Sequence, residues 1–175
     1  MKKVFTLITL LFIASSFISK NETKPAIKWL SWEEAVQLNK MSPKKFFVDV
    51  YTEWCGWCKK MDATTFSDKK VAAFMNEHFY CVKFDAEQRE DVIVQGDTLH
   101  FNPNNGRRGA HDFAVALLNG SMGYPSYVYL DKDLKRISIS PGYKEVEPFL
   151  EEVNFIAKDL FQTMSYQEYI DSKNK

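Results

Sequence analysis

Apolar and polar positions follow two rhythms along the chain. From Phe46 to Tyr51 every residue except Asp49 is apolar or aromatic. So short a run, bounded by polar residues, predicts a buried strand. Phe79 to Phe84 predicts a second. Between them the period lengthens. A helix is expected from near Gly56 to about Ala63, then a break at Thr64-Thr65-Phe66. Ser67 is expected to cap the next helix, in which Val71, Ala72, Phe74 and Met75 recur at helical spacing. Upstream, Ser31-Trp32-Glu33-Glu34 reads as a capping box that starts a helix. Trp32, Ala35, Val36 and Leu38 form its apolar side, and it should end before Pro43.

Asp85 to Met122 reads as an excursion. It holds an expected hairpin from Val92 to Phe101 turning at Gly96-Asp97, the turn-rich Asn102-Pro103-Asn104-Asn105-Gly106, and a short helix from about Ala110 to Leu118. Gly120 to Gly123 leads into Tyr124-Pro125. Ser126 to Leu130 and Arg136 to Ser140 predict an antiparallel pair joined by Asp131-Lys132-Asp133 and ended by Pro141-Gly142. Glu145 to about Phe161 predicts a helix burying Val146, Phe149, Leu150, Val153, Ile156, Ala157 and Leu160. Ser165 and Glu168 are placed to cap a last short helix. Parallel strands joined by a crossover need helices over the sheet. The expected fold class is therefore α/β, with a central mixed sheet and helices on both faces.

The 175 residues suffice for one domain with a core of its own. Lys plus Arg and Asp plus Glu each number 23, so the formal net charge is zero. There is no basic surplus to hold nucleic acid, and Arg107-Arg108 is too short for such a patch. Lys2 and Lys3 precede an apolar run from Val4 to Ile18. This predicts a signal peptide over residues 1–19, shorter than the roughly 20 apolar residues of a membrane span. Residues 20–28 read as a linker and 29–175 as the folded domain. Export would place the protein in the periplasm or cell envelope.

Three cysteines are present, Cys55, Cys58 and Cys81. A disulfide-stapled secreted scaffold needs more pairs, spread along the chain. The loop closed by Cys55 and Cys58 is tiny and constrains little of the unfolded state, so such a bond suits switching better than stapling. Zinc is disfavoured, because Cys81 falls in an expected strand and no second close pair exists. Haem attachment needs His after Cys58, where Lys59 stands. No metal site is expected. Cys81 reads as a small buried apolar residue, and His100 and His111 as solvated loop histidines.

At Trp54-Cys55-Gly56-Trp57-Cys58-Lys59 the sequence resembles the thioredoxin superfamily, over roughly Trp29 to Leu160. Val48 to Trp54 looks like the strand and lead-in of that family, with Asp49 at its buried acid. Lys83 sits where the second long strand carries a lysine near that acid. Tyr124-Pro125 is similar to the cis-proline loop that faces the disulfide, and Gly142 to a glycine after the terminal hairpin. Phe66-Ser67-Asp68-Lys69-Lys70-Val71 is similar to a segment in the C-terminal domain of the bacterial transmembrane thiol-reductant carrier. Two departures stand out. Trp57 replaces the proline of cytosolic thioredoxins, and the 85–122 region is about twenty residues longer than in a minimal thioredoxin, inserted before the cis-proline strand.

The resemblance implies a thiol:disulfide oxidoreductase whose only redox group is the Cys55–Cys58 pair, with no other cofactor. Cys55 at a helix start would be the nucleophile, held as thiolate below the free pKa of about 8.5. Cys58, one turn on and the more buried, would resolve the mixed disulfide. Asp49 would take the Cys58 proton, and Lys83 would modulate Asp49 by charge. Trp54, Gly56, Trp57, Tyr124 and Pro125 would form the substrate surface, although core packing competes as the role of Trp54. The partners implied are envelope proteins with thiols or disulfides, and a membrane thiol-reductant donor. A reductase or electron relay is the preferred direction. An oxidase or isomerase, and a binding module without essential redox activity, are the alternatives.

Overall fold

The computed structural model describes residues 26–173. The expected signal peptide and residues 20–25 of the expected linker lie outside the described residues. The elements are β1 (Trp29–Leu30), α1 (Trp32–Met41), β2 (Lys45–Tyr51), α2 (Gly56–Ala63), α3 (Lys69–His78), β3 (Phe79–Asp85), β4 (Val92–Val94), β5 (Asp97–Leu99), β6 (Phe101–Asn102), β7 (Ala110–His111), α4 (Asp112–Leu117), β8 (Ser126–Leu130), β9 (Arg136–Pro141), α5 (Val146–Ala157) and α6 (Tyr166–Lys173).

Five strands form the main sheet in the order β1-β3-β2-β8-β9. β2 runs parallel to β3 and antiparallel to β8, so the sheet is mixed. It is buried on both faces because β2 alternates between two cores. Phe47 joins Met61 of α2, Val71 and Met75 of α3, and Phe149 and Val153 of α5. Phe46, Val48 and Val50 join Trp32 and Ala35 of α1 and Phe113 and Leu117 of α4. All four of these β2 residues are fully buried. Truncating Phe47 to Ala should cost about 3–5 kcal/mol. The expected α/β sandwich is therefore the observed fold.

Local chemistry sets the helix starts. The Ser31 and Glu34 capping box forms as the sequence predicts. The cap of α3 is Asp68 rather than Ser67: its carboxylate accepts from the Lys70 and Val71 amides. Ser67 instead closes a 3-10 turn with Thr65 and Phe66. The terminal helix ends at Ala157, because Asp159 turns left-handed (φ 57°). The tail helix forms, with Ser165 and Glu168 hydrogen-bonded to each other.

Residues 26–28 are docked rather than loose. Asn76 donates to the Ala26 carbonyl and accepts from the Lys28 amide, and Ile27 enters the core. β1 was not visible in the sequence; two residues are too few to show a period.

The 85–122 region forms two small ribbons, β4–β5 and β6–β7, before α4. The first turns at Gln95-Gly96 (φ 54° and 98°), with Asp97 already in the strand. Two positive φ values are what a tight two-residue hairpin requires. His111 is fully buried, contrary to the expectation of a solvated loop histidine. It caps α4: Nδ1 accepts from the Phe113 amide, and Nε2 lies 3.1 Å from the Glu90 carbonyl. Since Nδ1 accepts, the proton sits on Nε2 and is donated to Glu90.

Candidate functional site

β2 ends at Tyr51, and the chain turns at once into α2. Cys55 is the N-cap of α2, and its Sγ accepts from the Cys58 amide at 3.0 Å. That N–H is one of the donors that a helix start leaves without an intrahelical partner. Cys55 and Cys58 are joined as a disulfide. Cys58 was expected to be the more deeply buried, but in this oxidised form the exposures are 4% and 3%. Cys81 is free and buried, and burial pushes its thiol up to about 12. It therefore carries no thiolate near neutral pH.

Asp49 lies on the face of β2 that looks toward α2, in register with Lys83 of β3. It is 1% exposed. Lys83 Nζ donates to Asp49 Oδ2 at 3.2 Å, while Oδ1 has no partner among the described residues. Burial pushes the Asp49 carboxyl up to about 6, against the pull of the Lys83 ammonium. Asp49 is thus a buried acid of raised pKa that shares a hydrogen bond with Lys83.

The sequence reading missed Asp62. It sits on α2, one turn beyond Cys58, and Lys83 donates to its Oδ1. Its negative charge opposes ionisation of Asp49. One ammonium is therefore shared between a buried and a half-exposed carboxylate. Trp29, Tyr51 and Phe66 surround that ammonium with ring centroids 4.9, 5.1 and 5.8 Å away. The available signal was the four-residue spacing from Cys58 to Asp62, but only the fold brings Lys83 under it.

The aromatic residues of the motif face outward. Trp57 is 56% exposed, and so is Trp54 at 52%, which overturns core packing as its role. Trp54 lies edge-on to Tyr124, with centroids 5.9 Å apart, and its Nε1 donates to Glu87 at 2.9 Å. Trp57 lies against Tyr143, and the Lys60 ammonium sits over both rings. The Tyr124–Pro125 bond is cis, and the Gly142 amide donates to the Pro125 carbonyl at 2.8 Å. The positive φ of Gly142 (90°) suits glycine at that turn. Gly56 opens α2, where a Cβ would meet no atom within 4 Å.

A cysteine pair at a helix start and a cis-proline before the next strand, on this sheet order, are the arrangement of the thioredoxin fold. The family model Thioredox_DsbH, described as "Protein of unknown function, DUF255", matches residues 9–156. The chain belongs to this family. Among solved structures, a DsbH oxidoreductase covers 89% of this chain and 95% of its own at TM-score 0.55 and 18% identity. A thioredoxin-fold protein from Helicobacter pylori covers 86% and 93% at TM-score 0.59 and 16% identity. Likenesses at these identities establish the fold.

Among curated proteins, Caenorhabditis elegans B0495.5 is 31% identical over 125 residues, 71% of this chain and 15% of that protein. The thiol:disulfide interchange protein DsbD of Vibrio vulnificus is 24% identical over 127 residues, 71% of this chain and 18% of its own length. The chain thus spans less than a fifth of each of these curated relatives.

Proposed function

We propose that this Thioredox_DsbH protein exchanges dithiol and disulfide with other proteins through Cys55 and Cys58, as an exported reductase or electron relay. The observation that carries the reading is the disulfide itself. It lies at the start of α2, with the Cys55 sulfur on a backbone N–H, and a buried acid of raised pKa stands on the face of β2 that looks toward α2.

The reduced form would act as follows. Cys55 thiolate attacks one sulfur of a substrate disulfide, and the other substrate sulfur leaves as a thiolate that picks up a proton. A Cys55–substrate mixed disulfide remains. Cys58 gives its proton to Asp49 and attacks Cys55 Sγ, so the second substrate sulfur leaves as a thiolate. The substrate has gained two electrons, and the protein is left as the Cys55–Cys58 disulfide. Trp54, Gly56, Trp57, Tyr124 and Pro125 form the surface that receives the substrate, and Lys83 tunes Asp49.

The cycle closes only when a donor reduces the disulfide again. No helix among the described residues is long and apolar enough to cross a membrane. A membrane thiol-reductant donor is the proposed source of those electrons. The reducing direction is favoured by the resemblance of Phe66-Ser67-Asp68-Lys69-Lys70-Val71 to a segment of the bacterial transmembrane thiol-reductant carrier. The periplasm or cell envelope is the proposed location, on the strength of the N-terminal apolar run.

Insulin reduction with dithiothreitol tests the activity. The protein should accelerate it, and Cys55→Ser should not. Equal rates with wild type, variant and dithiothreitol alone would remove the reading. The reduction potential then tests direction: a value near about −270 mV supports a reductant, and one near about −120 mV an oxidant.

A further inference from the structure

Trp54, the residue before Cys55, lines a groove of about 230 Å³ that the sheet and helices alone would not make. One wall is Trp54 and Tyr124 from the redox site. The other is the turn Asn105 to Gly109 from the 85–122 region. Met122, 37% exposed, lies at its edge.

This turn is built rather than loose. Asn105 donates to the Ala110 carbonyl and to Asp112 Oδ1, and its own amide bonds the Asn102 carbonyl. Gly109 adopts a positive φ of 76°, and a Cβ there would fall 2.3 Å from the Phe101 ring. Phe101 in turn carries the Arg89 guanidinium 3.6 Å above it.

The turn presents Arg107 and Arg108, both exposed. Neither makes an ion pair among the described residues. The Arg108 guanidinium lies 5.2 Å from the Trp54 ring. The one carboxylate lining the groove, Glu87, already accepts from Trp54 Nε1. Glu87 keeps its negative charge, so the groove sets two unpaired guanidiniums against one carboxylate and carries a positive surplus, beside Trp54, the residue before Cys55.

We propose that this groove receives the backbone of a substrate protein next to its reacting cysteine, and that Arg107 and Arg108 select substrates with carboxylate side chains there. The inference rests on the oxidoreductase reading and adds its substrate class. Guanidiniums recognise carboxylates by charge and by paired N–H donors. Trp54 links the two functions, since it borders Cys55 and stacks beneath Arg108.

The test uses the full chain with its active pair reduced. Two cysteine peptides, alike except for Glu or Lys flanking the cysteine, are each joined to thionitrobenzoate as mixed disulfides. Attack by Cys55 on the peptide sulfur releases thionitrobenzoate, read by absorbance. Wild type should react with the Glu peptide about tenfold faster than with the Lys peptide at low salt. The preference should shrink at about 0.5 M salt. Arg107→Glu with Arg108→Glu should abolish or invert it. Lys40→Glu with Lys158→Glu makes the same change of net charge on exposed residues elsewhere, and should keep it.

A wild-type ratio near one overturns the proposal. So does a ratio that both double variants change equally, since net charge alone would then explain it. Failure of the protein to react with either peptide, or to reduce insulin, would instead overturn the oxidoreductase reading.

Discussion

Lys83 binds Asp49 through one carboxylate oxygen only, at 3.2 Å, and leaves the other buried without a partner. The ion pair is incomplete because Asp62 holds the same ammonium from its other side. Burial therefore outweighs the attraction of Lys83, and Asp49 titrates near 6 rather than near 3.9. An acid in that range can accept a proton near neutral pH.

The same shift has a stability consequence. Asp49 has a higher pKa folded than unfolded. Its contribution is fully present below about 3.9 and is lost as pH rises through about 6. Asp49→Asn should therefore be more stable than wild type at pH 8, by up to roughly 3 kcal/mol, and nearly equal to it at pH 4. Urea denaturation at the two pH values measures this. A gain of equal size at both would separate the effect from ionisation and refute the assignment. The same variant should slow resolution of the mixed disulfide by roughly a hundredfold.

Asp62 and Lys83 should move the Asp49 titration in opposite directions. Asp62→Asn removes a negative neighbour and leaves Lys83 to Asp49, so the pKa should fall. Lys83→Met removes the attraction, so it should rise. The pH profile of disulfide resolution should shift by roughly half a pH unit or more each way. Shifts of the same sign would show that the three residues do not act as one charge network.

Cys58→Ala should accumulate mixed disulfides with substrate proteins, seen on non-reducing gels and released by dithiothreitol, because nothing then attacks Cys55 Sγ. Cys55→Ser should accumulate none. Adducts that map to Cys81 would contradict both the burial of that thiol and the roles assigned here.

His111 ties the inserted region to the body of the fold, and burial lowers its pKa although Asp91 and Asp112 lie near it. A histidine with a depressed folded pKa contributes stability present above about 6.5, which is lost as pH falls through the folded value. Protonation would also put a proton on Nδ1, facing the Phe113 N–H. Protection of the Phe113 amide against hydrogen exchange, corrected for intrinsic rates, should therefore drop as the pH falls below about 6.5 and through the lowered folded value. His111→Asn keeps a capping oxygen without titrating, and should flatten that dependence. An equal drop in the variant would rule His111 out as its source.

Much of this was legible because it depends on near neighbours in the chain. The capping box at Ser31, the apolar run of β2 and the three-residue step from Cys55 to Cys58 are all local patterns. Ser67 and Asp68 show the limit of that legibility. Both are good caps, and the choice fell to Asp68 because the chain first closes a 3-10 turn. Trp54 shows another. Its composition suggests a core residue, but the turn after β2 points it outward to Tyr124 and Glu87.

The sequence by itself determined the class of fold and the redox pair, since hydrophobic period and cysteine spacing are properties of short segments. Tertiary structure alone decided that Asp62 shares Lys83 with Asp49, that His111 is buried, and that Arg107 and Arg108 line a groove with Trp54. Each of these depends on segments far apart in the chain meeting across the sheet or at its edge. No local pattern encodes such meetings, because they arise only when burial of the two apolar faces of the sheet sets where every segment lies.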